Sequence, residues 1–127
     1  MKKPVPRRLT LSVVGMQYRV TKTTRQMISE HVEKDGPLEC KLVRESSNKH
    51  DPNAIRVLIS DKPYTGLFIG YLTRQVAEIL AAYLDSARVT IGKCLLVSVA
   101  PRDGEGEIRV TLKTRVNFPA HKLISSG

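Results

Sequence analysis

The chain has 127 residues, 41% of them hydrophobic, which suits one folded domain with a single modest core rather than a disordered chain. Twenty-one Lys and Arg against twelve Asp and Glu leave a net charge of +9 and a pI near 9.9. Such a field attracts polyanions without reading any sequence, so on charge alone nucleic acid, an acidic protein and an anionic membrane surface stay open.

No apolar run approaches the roughly 18 residues of a membrane span. The basic start Met1-Lys2-Lys3 leads into no apolar stretch of the kind a secretory signal needs, so an intracellular protein is expected. The first segment, Met1 to Arg8, reads as a basic, proline-containing arm. The basic excess is concentrated early: Lys2, Lys3, Arg7, Arg8, Arg19, Lys22 and Arg25 all precede Glu30, the first acidic residue.

Leu9 to Gly15 alternates and reads as a strand. Thr23 or Thr24 can cap a short helix, with Met27, Ile28, His31 and Val32 at the spacing of one face and Gly36-Pro37 ending it. Leu38 to Arg44 is a strand with Leu38, Cys40 and Leu42 inward, and Glu45 to Asn53 is a polar loop. Ala54 to Ile59 is the next strand, Asp61-Lys62-Pro63 turns the chain, and Gly66 to Leu72 returns it. Thr73 caps the strongest helix, to Asp85, whose Val76, Ile79, Leu80, Tyr83 and Leu84 fall on one face. Two long strands follow, Arg88 to Pro101 and Glu107 to Val116, and the tail 117–127 reads as irregular. Six strands, one strong helix and no βαβ rhythm predict a mainly β fold: a small six-stranded barrel closed at one end by a helix, over residues 9–116.

Most chemistry is excluded by spacing. Three histidines and two cysteines never meet at a metal-ligand interval, and no phosphate-cradling glycine loop or nucleophile elbow occurs. Cys40 and Cys94 each sit in an apolar stretch and read as reduced core residues rather than a disulfide. His50-Asp51 is the one candidate acid/base pair, but adjacent loop residues diverge and nothing accompanies them. No cofactor, no metal and no catalysis are expected.

One constellation remains. It comprises Val13-Val14-Gly15-Met16-Gln17-Tyr18, Leu42-Val43-Arg44-Glu45, the loop Asn48-Lys49-His50-Asp51-Pro52-Asn53-Ala54-Ile55-Arg56-Val57, and Ile69-Gly70-Tyr71-Leu72 running into the helix. In order and spacing it resembles the HIRAN domain family, over roughly Leu9 to Val99. The loop also makes sense on its own: short polar side chains at Asn48 and Asp51 bond turn backbone, and Pro52 and Asn53 are turn-makers. A turn needs neither an imidazole nor a charge at His50 and Asp51, which points to recognition there.

The resemblance implies an OB-like barrel that binds the free 3′ end of single-stranded DNA. It assigns a stacking ring to Tyr18, a second ring to His50 and the acceptor for the terminal hydroxyl to Asp51. It turns Tyr71 and Arg74 toward the phosphate backbone, with Asn48 also in the DNA-binding loop. Gln17, Arg19, Lys22 and Lys49 are further candidates for backbone or phosphate contacts. Two positions depart from the family pattern: Gln17 stands where some members carry a basic residue, and His50 stands in place of a Tyr. The helicase or nuclease domains that accompany this module elsewhere are not in the sequence, so a helicase, nuclease or other DNA-processing partner would supply any catalysis. The alternative from another class is a protein-interaction subunit in which the barrel is scaffold and the basic face docks an acidic partner. A small nuclease using His50 and Asp51 is the third reading.

Overall fold

The computed structural model describes residues 5–126, with side chains as far as Leu123. Ten elements follow in order: β1 (Val5–Val14), α1 (Met16–Arg19), α2 (Lys22–Asp35), β2 (Leu38–Arg44), β3 (Ile55–Ile59), β4 (Phe68–Leu72), α3 (Arg74–Asp85), β5 (Val89–Ala100), β6 (Glu105–Thr114) and α4 (Ala120–Ser126). The six strands close into an antiparallel barrel in the order β1-β4-β3-β2-β5-β6. The barrel and its one strongly amphipathic helix are the architecture the alternation predicts.

Inward positions recur every second residue. Leu9, Leu11 and Val13 on β1 face Ile108, Val110 and Leu112 on β6, with Ile55, Val57 and Ile59 of β3 opposite, all buried. Helix α3 begins at Arg74, where the Thr73 hydroxyl accepts from the Val76 amide (3.4 Å), and it buries Val76, Ala77, Leu80 and Ala81. Helix α2 is capped two or three residues earlier than expected, by Thr21, whose hydroxyl accepts from the Thr24 amide (3.2 Å). Its inner face is also rotated from the one predicted. Arg25, Ile28, Ser29 and Val32 are buried, whereas Met27 is 52% exposed. Arg25 is satisfied on that face: its Nε donates to the Pro101 carbonyl (2.7 Å) and its Nη1 to that of Val20 (2.6 Å). With the Ser29 hydroxyl on the Val99 carbonyl, these bonds hold α2 on the end of β5.

Beyond shifts of one or two residues at strand ends, three segments differ from expectation. The basic arm is in part a strand: β1 starts at Val5 and pairs with β6 from Val5↔Thr114 onward, while residues 1–4 lie outside the described residues. Its outward charges hide the alternation. Helix α1 is a single turn, too short for any periodicity to announce it; Gly15, at φ 81°, is the left-handed residue that turns β1 into it. The tail is not irregular, because Phe118 and Leu123 anchor it in the core and the Phe118 ring meets Tyr83 edge-on (4.8 Å between centroids).

Barrel closure is narrow. Strands β1 and β4 share only Val13↔Leu72 and Val14↔Tyr71, and at Gly70 a Cβ would drive far inside contact with the Val14 carbonyl oxygen. Gly70→Ala is therefore expected to cost about 1–3 kcal/mol, read as a lower denaturation midpoint. An unchanged midpoint would mean that the seam can give way.

Cys40 and Cys94 are both buried and unoxidised. The β2–β5 register, Leu38↔Leu96 and Glu39↔Leu95, brings them opposite one another at its next step, and the hydrogen bond between the two side chains, reinforced by burial, pushes the Cys40 thiol well up. A protonated, enclosed thiol is a poor nucleophile. Both are expected to stay silent toward a thiol reagent in the native protein and to react only on unfolding; immediate reaction would contradict this packing.

Candidate nucleic-acid interface

A cavity of about 310 Å³ opens beside the β1–β4 seam, lined by Val14, Arg19, Asn48, His50, Asp51, Ala54, Tyr71, Leu72 and Arg74. Its size is at the lower end of small-ligand sites. One wall is the seam itself, one is the 45–54 loop, and α3 contributes its first residue.

The loop is held by its own side chains. Asn48 Oδ1 accepts from the backbone amides of His50 (2.8 Å) and Asp51 (3.0 Å), and Asn48 Nδ2 donates to Glu45 Oε1 (2.7 Å). Asp51 Oδ1 accepts from the Asn53 amide (3.0 Å), a local turn of the kind short acidic side chains make. Asp51 Oδ2 is left beside Arg74 Nε, at 3.7 Å. The carboxylate thus serves its own loop with one oxygen and faces a cation with the other.

Two residues at the end of β2 lock this loop from opposite sides. Arg44 makes a two-pronged pair with Asp85 (Nε–Oδ1 and Nη2–Oδ2, both 2.8 Å) and also donates to the carbonyls of Ala54 (2.9 Å) and Pro52 (3.0 Å). The hydrogen bond from Arg44 holds the Asp85 carboxyl below its ordinary value, and the Arg44 guanidinium is raised in return. Glu45 gathers the other side: its Oε1 accepts from the Tyr71 hydroxyl (3.0 Å) as well as from Asn48, and its Oε2 lies 3.1 Å from Arg56 Nε. That last contact is an ion pair in distance but not in line, so Arg56 Nε has no hydrogen-bond partner among the described residues.

An aromatic and guanidinium stack extends the wall. The Phe68 ring meets Tyr71 edge-on (5.2 Å), and Arg19 lies over both rings, 4.7 Å from Phe68 and 5.6 Å from Tyr71, with Arg56 5.3 Å from Phe68. Burial and the Glu45 hydrogen bond raise the Tyr71 hydroxyl pKa, keeping it a donor.

Of the residues singled out in the sequence, Asn48, His50, Asp51, Tyr71, Arg74 and Arg19 come together here. Tyr18, Gln17, Lys22 and Lys49 do not line the cavity. Tyr18 is 82% exposed and stands outside the cavity that His50 lines. Gln17 packs against the left-handed turn at Gly104. Arg74 is not a free cation, because its Nη2 donates to the His50 carbonyl (2.9 Å). Tyr71 directs its hydroxyl to Glu45 rather than outward. Glu45, Arg44, Asp85, Phe68 and Arg56 were missed as site residues. Glu45, Arg44 and Arg56 stand in the quoted constellation, but only as strand or strand-end residues.

The family model for the HIRAN domain matches residues 7–119, and the chain belongs to that family. Among solved structures, the HIRAN domain of human HLTF superposes with a TM-score of 0.63 at 20% identity, covering 88% of this chain and 80% of that one. The HLTF HIRAN domain in its DNA-bound conformation gives 0.61 at 21%, covering 96% and 86%. A protein from Lactobacillus plantarum gives 0.57 at 21%, covering 88% and 99%. No significant match occurs among curated proteins.

The Arg44–Asp85 pair carries a prediction. A depressed carboxyl stabilises the fold fully above its ordinary value of 3.8 and loses that contribution as pH falls through the lower folded value. Asp85→Asn is expected to cost at most about 1 kcal/mol globally. It should, however, speed hydrogen exchange at the Asn53 and Ala54 amides at neutral pH, and the native protein should show the same loosening only in acid. Unchanged exchange would remove Arg44 as the loop's tether.

Proposed function

We propose that the chain is a non-catalytic DNA-binding module that takes the free 3′ end of a single strand into this cavity. The single observation that carries the reading is the pairing inside it: one carboxylate oxygen of Asp51 faces a space ringed by Arg19 and Arg74. An anion in a cavity meant for phosphates repels its ligand unless a donor meets it, and a terminal hydroxyl is that donor. Membership of the HIRAN family and the DNA-bound state of a neighbour with this fold agree with it.

In this reading Asp51 Oδ2 accepts from the 3′-hydroxyl while Oδ1 keeps the loop in shape. Arg74 exchanges its contact with Asp51 for a phosphate oxygen. Arg19, already held over the Phe68 and Tyr71 rings, takes the next phosphate. The exposed His50 ring covers the terminal base, and Tyr18, outside the cavity beside Arg19, is available to the base before it, each stacking contact worth roughly 1–3 kcal/mol. Asn48 acts by shaping the loop. Cleavage or unwinding of the held strand belongs to a helicase, nuclease or similar partner chain.

A strand ending in a 3′-hydroxyl should bind about tenfold to a hundredfold more tightly than the same strand ending in a 3′-phosphate, the worth of one hydrogen bond to a charged group. Asp51→Asn retains an oxygen for the Asn53 amide and should abolish that preference while leaving salt-dependent binding. Fluorescence anisotropy with 5′-labelled strands reads both. Equal binding of the two ends by the unaltered protein overturns end recognition, and absence of any DNA affinity at low salt transfers the site to an acidic protein partner.

A further inference from the structure

The outer face of the β1-β6-β5 sheet carries a second cationic group, remote from the cavity. On β1 the buried Leu9, Leu11 and Val13 leave Arg8 and Thr10 outward; on β6 the buried Ile108, Val110 and Leu112 leave Arg109, Thr111 and Lys113 outward. The register sets Arg8 opposite Thr111, so its diagonal neighbours are Arg109 and Lys113. On the other flank, the β5–β6 ladder is irregular between Ile91 and Cys94, and the Gly92-Lys93 segment there lies alongside Thr111. A Cβ at Gly92 would lie 3.6 Å from Lys113 Cε, so the Lys113 stem runs across the sheet over that glycine.

Arg8, Arg109, Lys113 and Lys93 therefore surround one threonine on three adjacent strands. All four are exposed, and none makes an ion pair among the described residues. Acids are present on this face too: Glu107 is the next outward residue to Arg109 on β6, with Glu105 beyond it, so the acids border the group on one side only, away from Arg8, Lys93 and Lys113. Diagonal neighbours on a sheet stand about 7–8 Å apart, within the Debye length of about 8 Å at physiological ionic strength. The four charges repel one another at that spacing, and a polyanion laid across them relieves the repulsion.

We propose that this face is a second nucleic-acid contact, a track for the phosphodiester backbone of the strand whose end the cavity holds. The proposal rests on the end-binding reading for its geometry, though not for its chemistry. Strand β1 connects the two sites. Val14 lines the cavity and Arg8 lies six residues back, on the order of 20 Å along the strand. A short oligonucleotide in the cavity would miss the track and a longer one would cross it. Contacts of this kind carry no sequence information and add affinity through counterion release.

The test compares 3′-hydroxyl strands of about 4 and about 16 nucleotides, the limits of common single-strand site sizes, by anisotropy across a salt series. The triple variant Arg8→Gln/Arg109→Gln/Lys113→Gln should bind the short strand as the unaltered protein does. It should bind the long strand at least tenfold more weakly at low salt, with a salt slope shallower by about 2 units. Thr111→Glu, which places a carboxylate among the four cations, should also weaken the long strand while raising the thermal midpoint, a readout that excludes misfolding. Unchanged long-strand affinity and slope in both variants overturns the proposal. If the unaltered protein ignores the 3′ group yet the variants still lose the long strand, the cavity reading fails and the track stands.

Discussion

The closure of the barrel at Gly70 is the constraint on which the site depends. Strand β4 can lie against β1 only because a hydrogen replaces a side chain where the Val14 carbonyl approaches. The contact is two residue pairs long. Immediately past it the chain leaves the sheet through the left-handed Gly15, and one turn of helix carries Arg19 back over Tyr71 and Phe68. Val14, Tyr71 and Leu72 are thus both seam and cavity wall. A longer seam would pair the backbone that now borders the opening, and a looser one would let the wall move. The cavity is what remains when a barrel closes at a short contact.

The second determinant is the parity of a strand. Arg44 and Glu45 are consecutive at the end of β2, so they diverge to opposite sides. Arg44 reaches the last residue of α3 and the carbonyls of the loop's far end, whereas Glu45 binds Asn48 at its near end together with Tyr71. The loop between is gripped at both ends by charged hydrogen bonds before any ligand arrives. That ordering matters for recognition, since a loop ordered in advance spares the entropy that binding would otherwise spend on it. It also divides the labour of the motif: Asn48, Pro52 and Asn53 hold the turn, and His50 and the second oxygen of Asp51 are left over.

The parts of the fold that were legible in the sequence are those governed by local chemistry. Strand β2 occupies Leu38 to Arg44 as its alternation implies, and Thr73 caps α3 as its hydroxyl and the following apolar face imply. The loop constellation led to the cavity because its spacing is distinctive. What was hidden depends on partners distant in the chain. Arg25 looks like a surface charge until the carbonyls of Val20 and Pro101 appear beside it, and Met27 looks like core until Arg25 is found on the inner face. Cys40 and Cys94 look unrelated until register sets β2 against β5. The family resemblance assigns Tyr18 a stacking role, but only the single turn of α1 decides which of its residues borders the cavity: Arg19 lines it and Tyr18, 82% exposed, does not.

The net charge needs the same correction, since a count of cations does not say where they act. Arg25 is buried on backbone carbonyls, and the half-buried Arg44 and Arg56 are committed to Asp85 and to Glu45 with Phe68. Every lysine among the described residues is exposed. The division follows from the two head groups. A guanidinium is planar and weakly hydrated, with forked donors that can satisfy several acceptors or lie on a ring, whereas an ammonium keeps its water. These committed cations consequently serve acids and backbone carbonyls of the protein itself. The polyanion field arises from the remainder, and it is organised by the sheet: inward alternation fills the barrel, and the outward positions of β1, β5 and β6 collect their cations around Thr111. The pattern that closes the core thus also determines which charges share a face.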